Sequence, residues 1–179
     1  MTDLWSLPRQ LELEGEPYGI RWDYRAALEV MALLNEASLP LHTRWFRALK
    51  VFYLRPVPDR LCAQAMAAMA DFLSQGREAA PGPALFDWQQ DAPEIISDIN
   101  RVAGFEVRNE DVHWWTFLAW FRAIGEGQLS FLVGLREKLL RGKPLTEAER
   151  EFCRRHPDKA RLRRPDPEKQ RLEDLLAER

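Results

Sequence analysis

"HWWTFLAWF", residues 113–121, places five aromatic rings and a histidine in nine consecutive positions. At 100° per residue, Trp114, Phe117, Leu118, Phe121 and Ile124 fall on one face of a helix, with Trp115 on one flank and Trp120 on the other. Only His113, Thr116 and Arg122 interrupt the apolar circumference. A helix that is apolar nearly all round is normally central to a core. Each fully buried large side chain contributes roughly 1.5–3 kcal/mol, so this segment is expected to anchor a helical interior. Two other readings attach to the same residues. Glu110-x-x-His113 has the i, i+3 spacing of half a di-iron carboxylate site. The remaining histidines, His42 and His156, belong to no such pair, and an acid in the first turn of a helix explains Glu110 without a metal. The other reading concerns the flanks. Trp115 and Trp120 cannot both lie at the centre of one face, and a tryptophan at the edge of a bundle is suited to anchoring a partner.

Helical rhythm continues on both sides of this stretch. Upstream, "DAPEIISDINRVAG" carries Ile95, Ile96, Ile99, Val102 and Ala103 on one face. Asp91 and Glu94 form a D-x-x-E capping pattern, Pro93 falls in the first turn and Gly104 is the stop. Capping accounts for Asp87 as well, and Asp98 reads as solvated. Asn109 is placed to cap the aromatic helix, with Glu110 and Asp111 in its first turn. Downstream, "GEG" at 125–127 breaks the chain before "QLSFLVGLREKLLRG", and Thr146 with Glu149 makes a capping box for a short helix reaching about Arg155. Nearer the N-terminus, a first helix runs from Asp23, with Tyr24, Ala27, Leu28, Met31 and Leu34 in register, and stops before Pro40. A second spans about Thr43–Leu54 with Trp45, Leu49 and Phe52 as its stripe. A third follows Asp59 as cap and ends near Gly76. This third helix is rich in Ala and Met, including Met66 and Met69, which permits close packing and adaptable contacts. "QLELEGEPYGI" alternates around Glu14-Gly15 and predicts a β-hairpin.

These patterns predict a mainly α fold: a single compact helical domain of six or seven helices with a short N-terminal β-hairpin. The expected organisation is an N-terminal segment 1–22, a helical domain 23–156 and a charged tail 157–179. "REAAPGPALF" is short enough to be an internal loop, and "DPEKQRLEDLLAER" has the pattern of a terminal amphipathic helix. The 179 residues are 46% hydrophobic and 30% charged, a globular composition. A net charge of -2 and a pI near 6.0 exclude a global attraction to nucleic acid or anionic membrane. Cys62 and Cys153 have no CxxC partner or metal-type spacing. No signal-type segment opens the chain, and no apolar run approaches the roughly 20 residues that span a bilayer. A soluble protein of a reducing bacterial cytoplasm is expected.

Catalytic signatures are lacking. The sequence contains no P-loop, GxGxxG, GxSxG or HExxH. Cys153 and His156 are neighbours with no evident third group. A non-enzymatic protein without cofactor or metal is therefore expected. "RRHPDKARLRR", residues 154–164, sets six Lys/Arg against one Asp. Arg154, Arg155, Arg161, Arg163 and Arg164 are the alternative phosphate-contacting residues of a small nucleic-acid-binding regulator. The stretch has no stacking aromatic and precedes an acidic segment, which favours a solvated tail.

"YGIRWDYR", "FDWQQDAPEIISDI", "HWWTFLAWFRAI" and "FLVGLREKLLRG" occur in the order and approximate spacing of a family of bacteriophage structural-operon proteins called "gene product fifteen". Over roughly residues 10–160 the chain resembles that family, which is similar to the tail assembly chaperones of long-tailed phages. The resemblance implies a non-enzymatic helical protein that binds the tape measure protein, keeps it soluble and assists tail tube assembly. Tail tube subunits and further copies of the chain are additional partners compatible with it. Trp115, Trp120, Met66 and Met69 are the residues expected to border the partner-binding groove, because apolar positions exceed what one core face absorbs.

Overall fold

The computed structural model describes residues 6–77 and 82–163. Among them the fold is mainly α with an N-terminal antiparallel hairpin, as the patterning predicts. By contact density the described residues divide into two units, one formed by 6–77 and 111–116, the other by 82–110 and 117–163.

In the first unit, β1 (Gln10–Leu13) and β2 (Glu16–Gly19) pair antiparallel, with Leu13 opposite Glu16. Glu14 and Gly15 make the two-residue turn, both at positive φ (49° and 82°), the geometry whose twist matches the flanking strands. The alternation of the hairpin buries Leu13, Tyr18 and Ile20. Asp23 ends the extended run, and its Oδ1 accepts from the Arg25 and Ala26 N–H groups to cap α1 (Tyr24–Asn35). Pro40 stands at the N-cap of α2 (Leu41–Phe52), two residues earlier than periodicity suggests, because its fixed φ suits a helix entry. Tyr53 returns to pair with Ile20, and the Leu54 N–H donates to the Gly19 carbonyl. A 3-10 turn, Asp59–Leu61, leads into α3 (Cys62–Ser74). Asp59 makes no side-chain capping bond there, contrary to expectation. Gln75 and Gly76, both left-handed, end α3. Phe52, Ala65, Met69 and Phe72 fill the interior, and the Tyr53 hydroxyl donates to the Ala65 carbonyl at 3.0 Å.

In the second unit, α4 (Ala92–Ala103) buries Ile95 and Ile99 and stops at Gly104. A 3-10 turn, Val107–Asn109, follows. The aromatic helix α5 (Trp114–Arg122) begins five residues beyond the expected cap Asn109. The chain is extended at 110, and His113 bridges Asp23 in antiparallel fashion. Trp114–Thr116 of α5 belong to the first unit, and the remainder of the helix to the second. Then come α6 (Gln128–Leu140), α7 (Glu147–Arg155) and a single-turn α8 (Pro157–Ala160) that the charged sequence after His156 did not announce. Thr146 and Glu149 form the predicted capping box of α7. The expected terminal helix and Arg164 lie outside the described residues.

Three carboxylates in this unit depart from the sequence expectation. Asp91 is not a side-chain cap of α4. It is 1% exposed and grips Arg136 of α6 through two bonds of 2.7 and 2.8 Å. Arg136 is equally buried and spends all five of its donors, the others on the Leu85 and Lys159 carbonyls. Glu94 is likewise buried and meets Lys159 at 2.6 Å, which raises the lysine pKa through that bond and the opposite charge. Asp98, expected in solvent, is 3% exposed and caps another helix, taking the Gln128 and Leu129 N–H groups at the start of α6. Only Asp87 behaves as read, accepting from the Gln89 and Gln90 N–H groups.

Candidate functional site

Within the first unit, His113 is held by both ring nitrogens. Nδ1 lies 3.1 Å from the Trp115 N–H, which only a lone pair can accept, so Nε2 carries the proton and donates to the Pro8 carbonyl at 2.9 Å. Its ring stacks on Trp22 at 5.7 Å, and the Arg9 guanidinium lies over Trp22. Burial, with a smaller contribution from the Arg9 charge, lowers the histidine pKa. Glu110 is not on a helix with His113, so the i, i+3 metal half-site is not formed. Among the described residues no three His, Cys, Asp or Glu side chains gather as a metal set.

Trp115 is half-buried and committed to its own unit: Nε1 donates to the Phe72 carbonyl at 2.9 Å and the ring stacks on Phe72 at 5.8 Å. Trp114 donates similarly to Leu73 and is enclosed. Met66 is half-buried on α3. Met69 is 0% exposed and belongs to the interior, because it falls on the α3 face shared with Ala65 and Phe72. No partner reaches it in this fold. The outward apolar residues of this unit lie elsewhere. Leu41 and Phe46 on α2 are 65% and 55% exposed, Leu54 is exposed after it, and Trp45 is half-buried.

Within the second unit, Trp120 is half-buried and meets Phe105 edge to face at 5.5 Å, and Phe105 is 41% exposed. The Trp120 indole N–H has no acceptor among the described residues. The pair therefore offers an apolar body and a free donor, the combination that makes tryptophan effective at interfaces. Phe131 is also exposed and lies against Phe152. Of the two tryptophans expected at a partner surface, the structure leaves Trp120 with an open edge and ties Trp115 down. Sequence reasoning missed Phe105, Phe46 and Leu41. Each sits beside a helix stop or start (Gly104, Pro40) or off the apolar stripe, where periodicity is silent.

The basic stretch is partly neutralised. Arg154 and Arg155 both pair with Glu151. The Gln90 side chain donates to the Asp158 and Arg161 carbonyls and accepts from the Arg163 N–H, tying the backbone of 158–163 to the turn before α4. Arg161 and Arg163 remain exposed. No helix among the described residues is long and apolar enough to cross a membrane.

A family model described as Bacteriophage Gp15 protein matches residues 4–162. No curated protein and no solved structure gives a significant match.

Proposed function

The chain belongs to the Bacteriophage Gp15 protein family, and from that membership we propose that it is a non-enzymatic tail assembly chaperone acting in the host cytoplasm on the tape measure protein. The single observation that carries the reading is outward apolar surface on a phage-related chain: the contacting pair Phe105 and Trp120 in one unit, and Leu41 and Phe46, each exposed on α2, in the other. A tape measure protein presents a long apolar helical stripe until the tube encloses it. Aromatic and aliphatic groups on helix faces cover such a stripe without covalent or catalytic chemistry. Assistance to tail tube subunits follows if the covered chain is handed to them as the tube grows.

Co-expression with the phage's tape measure protein tests this. The tagged chain is expected to retain the tape measure in the soluble fraction and co-purify with it. Trp120→Ala with Phe105→Ala is expected to lower the retained tape measure at least several-fold while far-UV circular dichroism stays unchanged. A tape measure that is equally soluble without the chain, or retained as well as by the parent chain by both the double variant and a Leu41→Ala, Phe46→Ala variant, would reject the proposal.

A further inference from the structure

A cleft of about 490 Å³ lies wholly within the second unit, lined from the end of α6, from α7 and from α8. Leu139, Leu145 and Pro157 are among its apolar lining, and the exposed Arg150, Arg154 and Arg161 add three guanidiniums. The positive charge there is poorly compensated. Elsewhere in the unit Arg101, Arg108, Arg136, Lys138, Arg141 and Lys159 each meet a carboxylate. Among the described residues Arg150 and Arg161 meet none, and Arg150 donates instead to the Leu145 carbonyl. Lys143 and Arg163, two positions from Leu145 and Arg161, meet none either. Arg154 shares the single carboxylate of Glu151 with Arg155.

Concave apolar sites of this size enclose ligands, and a few polar groups fix the orientation. The polar groups here are guanidiniums, which stay protonated and only donate, so the complement carries acids. Two features select a polypeptide as the occupant. Arg150 and Arg154 stand one turn apart on α7, about 6 Å along its axis. Carboxylates at i and i+4 of a partner helix repeat that spacing, whereas the lone carboxylate of a small amphiphile reaches one guanidinium at a time. The lining also holds no aromatic side chain on which a nucleic-acid base would stack. We propose that this cleft binds an acidic amphipathic helix of another protein, its apolar stripe on Leu139, Leu145 and Pro157 and its carboxylates on Arg150, Arg154 and Arg161. The proposal goes beyond the tail-assembly reading and does not rest on it.

The probe is a capped, fluorescently labelled peptide of four Glu-Leu-Ala-Ala repeats, which sets carboxylates at i and i+4 beside a leucine stripe. Its binding to the full chain is read by anisotropy against a Gln-Leu-Ala-Ala analogue. The acidic peptide is expected to bind at least about tenfold more tightly than the analogue, as charge-assisted hydrogen bonds require. Arg150→Glu with Arg161→Glu should abolish that preference. Added salt should weaken binding to the parent chain without any substitution, which covers the case of a charge variant that fails to fold. Cys153, half-buried in the cleft lining, reports the location, and the half-buried Cys62 of the first unit is the internal control. Saturating peptide should slow alkylation of Cys153 by iodoacetamide and leave Cys62 unchanged. Trp120→Ala with Phe105→Ala should bind the peptide like the parent, so failure of the tape-measure reading is told apart from failure of this one. Equal affinity for the two peptides, or Cys153 left unprotected at saturation, would overturn the proposal. So would a single-stranded oligonucleotide that outcompetes the peptide, or a dimer of the parent chain, seen by light scattering, that the charge variant dissociates.

Discussion

His113 shows how one side chain sets a pH limit on its unit. The Trp115 N–H points at Nδ1 and the Pro8 carbonyl at Nε2, so the neutral ring satisfies both and a second proton has no place at Nδ1. Burial lowers the folded pKa beneath the ordinary 6.5. As pH falls through 6.5 the unfolded chain takes up the proton first, so stability is full above that value and declines as pH drops toward the folded pKa. The expected outcome is a urea midpoint that falls between pH 7.5 and 5.5 in the parent chain and falls less in His113→Gln. Equal slopes in the two proteins would show that another group carries the effect. The residue was legible in the sequence as the histidine of "HWWTFLAWF", but its role was not. The partner Pro8 is more than a hundred positions away, and no local pattern encodes a carbonyl brought in by a hairpin. Met69 marks the opposite limit: its spacing with Ala65 and Phe72 already placed it on the buried face of α3, and its side-chain type alone suggested otherwise.

At the scale of elements, periodicity and capping residues located the helices well and their electrostatics poorly. Thr146 with Glu149 and the Gly104 stop were readable because both partners of each device sit within four residues. Asp91 and Asp98 were not, because their partners Arg136, Gln128 and Leu129 lie thirty to forty-five positions on. The start of α6 depends on that long-range cap. Gly127 is in extended backbone that any residue adopts, yet a Cβ there would sit 2.5 Å from the Asp98 carboxylate. Gly127→Ala is therefore expected to displace the carboxylate and lose the cap, at about 1–2 kcal/mol. Asp98→Ala should cost a similar amount, and the double variant little more than either alone, since both remove the same bonds. Additive losses in denaturant titrations would refute a shared cause. The Asp91–Arg136 pair is subject to a harsher test. Both groups are nearly inaccessible, and removing one partner leaves an uncompensated charge, so Asp91→Asn should destabilise by about 3–5 kcal/mol. Replacing the two together with Asp91→Leu and Arg136→Met should recover much of that loss. A single variant within about 0.5 kcal/mol of the parent would show that the pair relaxes into water.

For the whole molecule, the fold class was readable because it depends on summed helical rhythm, whereas the candidate surface depends on which rings the interior fails to absorb. Six of the seven tryptophans are described, and of these Trp114 alone is enclosed. Surplus apolar surface therefore exists, but it is divided into small parts: Phe105 with Trp120, Phe131 beside Phe152, and Leu41 and Phe46 separately exposed on α2. Small groups imply weak single contacts, which suits the proposed chaperone role. A protein that must leave a tape measure chain as the tube closes gains nothing from nanomolar attachment at one point. Many weak contacts along one long partner give retention through avidity instead. The expected outcome in calorimetric titration is a Kd above about 1 µM for a short tape-measure segment, equivalent to less than about 8 kcal/mol of binding free energy. Apparent affinity should rise steeply as the segment is lengthened to hold several sites. Nanomolar binding to one short segment, or an affinity independent of length, would point to a permanent complex. In that case the chain would be found in finished particles at fixed stoichiometry, the position of a structural component and not of an assembly factor.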